Sequence, residues 1–214
     1  MVTQSKITLA GPVGMLEAML HLPDSEPRAI AVVAHPLPTM GGTMDNKIVT
    51  TLAKTFAELG FATLRFNFRG VGGSDGVFDN GNGEVEDALA VVQHAREAFG
   101  HLPLVLAGFS FGAYVQARVA QHLHPKAHKL VLVAPAVGRF APSAGLRTGM
   151  PHVPHTTLLI HGEQDEIIPL ADAFDWARPQ HLPVVVLPEA GHFFHGRLQQ
   201  LKQIVLHEFN GCRL

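Results

Sequence analysis

Residues 104–114 read "LVLAGFSFGAY", and the rest of the chain is read outward from them. An apolar run stops at Gly108, and one serine, Ser110, follows between two phenylalanines with glycines outside them. The run "LPLVLAGF" has the composition of a strand buried on both faces. The residues after Ser110, "FGAYVQARVAQHLH", read as a helix that stops before Pro125. A strand, a sharp turn and a helix with G-x-S-x-G across the turn would expose the serine hydroxyl at the carboxyl end of a sheet. Small residues two before and two after the serine let strand and helix approach, and the serine takes a strained backbone costing on the order of 1–3 kcal/mol. With five serines and 21 glycines in 214 residues, such a motif arises by chance roughly 0.05 times, before strand and helix are required.

The same kind of strand recurs on both sides. "RAIAVVAH" (28–35), "FATLRFNF" (61–68), "KLVLVAP" (129–135), "TTLLIHG" (156–162) and "LPVVVLPEAG" (182–191) are short, rich in Val and Leu, and bounded by Gly or Pro. Before them, "KITLA" and "MLEAMLHL" around "AGPVG" predict an antiparallel hairpin. Between the strands lie helical periods. Ile48, Leu52, Phe56 and Leu59 share a face that ends at Gly60; "GEVEDALAVVQHAREAFG" starts acidic and ends at Gly100; "LADAFDWARPQ" is shorter. Leu198, Leu201, Val205 and Phe209 form a last stripe. The alternation predicts an α/β fold: a mostly parallel sheet with an N-terminal antiparallel hairpin, helices on both faces, and one domain over 1–214.

Composition narrows the function classes. A net charge of -2 and no Lys/Arg stripe give no footprint for nucleic acid. No apolar run approaches the ~18 residues of a membrane span, and "MVTQSKITLAG" lacks the apolar core of a signal peptide. The single cysteine, Cys212, excludes an internal disulfide; a cytoplasmic location fits. "FRGVGGSDG" is an incomplete dinucleotide fingerprint, and "HVPH", "HLH" and "HFFH" match no zinc pattern. No cofactor and no metal are expected, and the partner is a small molecule.

A serine hydroxyl needs a base, itself oriented by an acid, and in this pattern both follow in the chain, acid before histidine. Past "TTLLIHG" the candidates are Glu163, Asp165 and Glu166; Asp165 is preferred, because Ile167, Ile168 and Pro169 behind it fix the loop. Past "LPVVVLPEAG" the candidates are His192 and His195; His192 is preferred, because the small pair Ala190–Gly191 lets its ring reach the serine. Acyl transfer also needs two donors for the oxyanion. One is the backbone N–H of Phe111, after the nucleophile. The other comes from the loop "HPLP", where Leu37 alone can donate between Pro36 and Pro38; Thr39 and Gly41–Gly42 are alternatives. Of Phe109, Phe111, Phe193 and Phe194, the side chains of Phe111 and Phe194 are the preferred pocket candidates, with Met40 beside them.

"GFSFG", "HGEQDEIIP" and "AGHFFHG", in that order, resemble the α/β-hydrolase family, and the resemblance runs from about residue 6 to about residue 209. "HPLPTMGGTMDNKIV" resembles a small cap-less bacterial subgroup of serine hydrolases, similar in shape to dienelactone hydrolases. That subgroup usually has a second histidine where this chain has Leu37, and dienelactone hydrolases use cysteine where this chain has Ser110. The resemblance implies a serine hydrolase of small carboxylic esters or thioesters, with acyltransferase, amidase or peptidase as alternatives on the same residues. A cap is usually inserted after the strand "KLVLVAP"; the short segment 136–155, with Pro142, Pro151 and Pro154, leaves no room for one. An open site with loose selection follows.

Overall fold

Side chains along the central strands go alternately to two apolar clusters, and this sorts the helices into two layers. In β3 (Ala29–Ala34), Ile30, Val32 and Ala34 join one cluster while Ala29, Ala31 and Val33 join the other. In β5 (Leu104–Phe109) the split is Leu104 and Leu106 against Val105, Ala107 and Phe109. The first cluster takes α2 (Asn82–Phe99), α3 (Phe111–His122) and α4 (Leu170–Ala177); the second takes α1 (Lys47–Glu58) and α5 (Leu198–Phe209). The computed structural model describes residues 2–138 and 149–210.

The remaining strands are β1 (Thr3–Gly11), β2 (Gly14–Leu22), β4 (Phe61–Phe66), β6 (Lys129–Val133), β7 (Leu158–Gly162) and β8 (Val184–Leu187). The sheet order is β1-β2-β4-β3-β5-β6-β7-β8. The β1–β2 hairpin and the β2–β4 pair are antiparallel, and every other pair is parallel. This is the mostly parallel sheet with an antiparallel hairpin that the strand pattern predicts. Among the described residues, no helix lies between β6 and β7; residues 139–148 of the segment read as too short for a cap, and Cys212, lie outside the described residues.

The chain leaves β3 toward β4 on one side and returns over the other face to β5 on the opposite side. Their exit loops therefore diverge, and a crevice opens at the carboxyl ends of β3 and β5. Ala34 pairs with Gly108, so the loops that begin at His35 and Ser110 start at the same level. Gly162 of β7 pairs with Leu187 of β8, which starts the loops carrying Asp165 and His192 side by side.

Candidate active site

Ser110 sits at the tip of β5 with φ 54° and ψ −116°. Two glycines make that backbone possible. A Cβ on Gly108 would fall 2.4 Å from the Gly112 carbonyl carbon, and one on Gly112 would fall 2.3 Å from the Ala34 carbonyl oxygen. The tight turn is also pinned from outside: the Ser110 N–H donates to the Val133 carbonyl at 2.9 Å, and the Ser110 carbonyl accepts from Ala113, Tyr114 and Ala136. The strain is held by close packing and neighbouring strands.

A line of hydrogen bonds leads away from the serine. Its Oγ lies 3.2 Å from Nε2 of His192, and Nδ1 of His192 lies 2.8 Å from Oδ2 of Asp165. All three residues are buried. Oδ1 of Asp165 accepts the N–H groups of Ile167 at 2.9 Å and Ile168 at 2.6 Å, so the loop behind the acid fixes its orientation. The rival Glu163 turns elsewhere and accepts the N–H of Glu189. The rival His195 is exposed and packs beside the ring of Phe193. Two further groups brace the line. Glu166 Oε2 accepts the backbone N–H of His192 at 3.1 Å. His161, fully buried, reaches the Ile168 carbonyl at 2.8 Å and comes within 3.4 Å of Asp165 Oδ2 through the same Nε2. Burial lowers the pKa of this ring, against the opposing pull of Ile168 and Asp165.

The loop after β3 presents its backbone. The N–H groups of Met40 and Gly42 both bond the Leu37 carbonyl, and that of Gly41 bonds the Pro38 carbonyl, so the two glycines are engaged within the turn. Among the described residues, neither the Leu37 N–H nor the Phe111 N–H makes a hydrogen bond. His35 holds the relevant peptide. Its Nδ1 bonds the Pro36 carbonyl at 2.7 Å, and its Nε2 lies 3.1 Å from the Phe68 N–H, which must donate. Both bonds are made only by a neutral ring with its proton on Nδ1. Burial keeps the ring neutral, lowering its pKa to about 4, with the Pro36 carbonyl opposing. The Pro36 carbonyl and the Leu37 N–H share one planar unit, so anchoring the first aims the second.

A hollow of about 220 Å³ lies against Ser110 and His192, lined further by Pro36, Leu37, Met40, Gly41, Gly42, Asn46, Ile167 and Phe193. Met40, exposed, is at its rim. The side chains of Phe111 and Phe194 are not there: both are fully buried in the core. Phe111 opens α3 with its ring inward, against Phe68, Phe78 and Tyr114. At Phe194 the turn closed by its N–H on the Gly191 carbonyl, with φ 50°, reverses the chain; the preceding residue, Phe193, is left exposed at the hollow. Residues 192–195 have no regular period, so adjacent phenylalanines cannot be told apart in the sequence. His35 and His161 carry no signal in the sequence, and Glu166, a candidate for the acid, turns instead to the backbone N–H of His192; these roles depend on contacts between loops far apart in the chain. Among the described residues, no group of three or more His, Cys, Asp or Glu is placed to hold a metal ion. No helix there is long and apolar enough to cross a membrane.

Known proteins resemble this chain in sequence and in fold. A protein of Rickettsia prowazekii, uncharacterized, is 30% identical over 211 residues, covering 94% of this chain and 86% of its own length. The structure of an alpha-beta serine hydrolase homologue from Coxiella burnetii superposes with a TM-score of 0.84 at 42% identity, covering 97% of each chain. A serine hydrolase without a lid from Xanthomonas campestris superposes at 0.86 with 39% identity, covering 97% of this chain and 94% of its own. The family described as serine aminopeptidase, S33 matches residues 25–152, from the start of β3 through the serine turn and β6. With its sheet order, its strained serine turn and a family match over more than half its length, the chain belongs to the α/β-hydrolase superfamily, within that family of serine hydrolases.

Proposed function

We propose that Ser110, His192 and Asp165 act as a catalytic triad that cleaves small carboxylic esters or thioesters through an acyl-enzyme. The unbroken line from Asp165 Oδ2 through both nitrogens of His192 to Ser110 Oγ, opening on a hollow, carries this reading. Ser110 Oγ attacks the carbonyl carbon while His192 Nε2 takes its proton, and Asp165 stabilises the imidazolium. The carbonyl oxygen becomes an oxyanion, held by the Leu37 and Phe111 N–H groups. Collapse of this intermediate breaks the bond to the alcohol or thiol, which leaves with the proton from His192. Water, deprotonated by the same ring, then releases the acid and restores Ser110.

The description of the family favours a second reading, cleavage of a peptide at its amino end. That reaction calls for a carboxylate to meet the substrate's ammonium group. Among the described residues, none that lines the hollow carries one, which supports the ester reading. The test is labelling with a fluorophosphonate, which traps an activated serine. The expected result is covalent labelling of the wild type and none of Ser110→Ala. Equal labelling of both overturns the assignment. A chain-length series of nitrophenyl esters beside matched thioesters and aminoacyl anilides then ranks the substrates.

A further inference from the structure

The leaving atom of the substrate must collect the proton that His192 Nε2 holds, so the leaving group lies on the His192 side of Ser110. On that side the loop that carries His192 also supplies Phe193, His195 and Gly196 to a second hollow, of about 170 Å³. Asn46 and Phe193 line both hollows, so the second adjoins the first, and the two are taken together as one groove with an inner and an outer half. The polar side chains of the outer half are Asn46, Lys47 and His195. Asn46 spends its Oδ1 on the Ile48 N–H, which leaves its amide as a donor. Lys47 is an exposed cation.

Charge decides what suits this groove. Among the described residues, neither hollow is lined by Asp or Glu. Lys6, Lys129 and Lys202 pair with Glu17, Glu208 and Glu58, but Lys47 makes no ion pair among the described residues. The acid nearest to it in the chain, Asp45, is occupied by Arg65. The outer half therefore offers a cation and donors with nothing to balance them, which complements an oxyanion.

We infer that the preferred substrates carry a negatively charged group, a carboxylate or a phosphate, on the alcohol or thiol that leaves, and that Lys47 reads it. The inference rests on the hydrolase reading above and names the substrate class of that site. Because Lys47 is exposed, water and salt screen it, and its effect is modest.

The test uses para-acetoxybenzoate and para-acetoxybenzamide, two acetates that differ in the charge of the leaving phenol, with para-acetoxyphenyl phosphate to rank the two anions. Each kcat/KM is divided by that ester's hydroxide-catalysed rate, to remove intrinsic reactivity. At low salt the anionic ester is expected to be preferred about five-fold. The ratio should approach one in Lys47→Gln and in about 0.5 M salt, and fall below one in Lys47→Glu. A ratio unchanged in Lys47→Glu overturns the inference. A parallel arm measures binding of the intact esters to Ser110→Ala by calorimetry, alone and combined with Lys47→Glu. Tighter binding of the anionic ester that Lys47→Glu abolishes supports the inference even where no ester is hydrolysed; equal binding of both esters overturns it. Absence of turnover with charge-selective binding thus counts against the hydrolase reading alone.

Discussion

The turn after β5 and the loop after β3 start at the same level and face one hollow, yet they are built on opposite principles. At the serine turn the proposed chemistry falls to a side chain, and glycines let the backbone bend: Gly108 and Gly112 have no room for a methyl group. In the β3 loop the proposed chemistry falls to the backbone, and side chains stiffen it: Pro36 and Pro38 flank the Leu37 N–H, and His35 grips the peptide from behind. The first region is thus sensitive to which side chain is present. The second is sensitive to whether one N–H survives and whether its peptide stays aimed.

Replacing side-chain chemistry should cost most. In Asp165→Asn the neutral amide no longer stabilises the imidazolium of His192 and can hold the wrong tautomer, so kcat is expected to fall about 10⁴-fold. Rapid kinetics with a nitrophenyl ester checks this. A loss under ten-fold would show that another acid serves His192 and would break the comparison at its stronger end.

The backbone side is tested by Leu37→Pro, which removes the N–H that has no partner among the described residues and also replaces the buried side chain. Leu37 has φ −52°, within the range proline adopts. The expected loss is about 10²–10³-fold in kcat, as for one oxyanion donor. Leu37→Ala keeps the N–H; it should reduce stability, since the side chain is buried, but leave kcat within a few-fold of wild type. Equal losses in the two variants would mean that the side chain matters and the peptide does not.

The smallest effect concerns the grip of His35. Its folded pKa of about 4 lies below the ordinary value of 6.5. Below pH 6.5 the unfolded chain therefore binds a proton that the folded ring refuses. The stability from burying a neutral ring is full above pH 6.5 and is lost as pH falls toward 4, by about 3 kcal/mol. Urea unfolding between pH 7 and 4.5 should show this decline, and a shallower one in His35→Gln. Identical slopes would remove His35 from the account. His21 and His161 shift in the same direction through burial, so part of the slope remains in the variant.

Much of the fold was legible in the sequence, because strands buried on both faces are continuous apolar runs and amphipathic helices repeat on one face. Asp165 and His192 stood out because each follows such a strand, where loops converge at the sheet's carboxyl edge. What stayed hidden lies where residues have no period. The order of the strands, which opens the crevice between β3 and β5, depends on which face each crossover takes. Phe193 faces the hollow and Phe194 the core because Phe194 itself is left-handed and reverses the chain.

The sequence by itself determined the strands, the strained turn at Ser110, and the one free donor between two prolines. These follow from local rules: glycine's lack of a side chain, proline's lack of an N–H, and the spacing of apolar residues. Only the tertiary structure decided which rings line the hollow, that His35, His161 and Glu166 brace the loops around it, and that Lys47 lines the hollow beside it. Those facts join residues far apart in the chain, and contacts across a sheet are set by the packing of whole layers, not by the identity of neighbours along the chain.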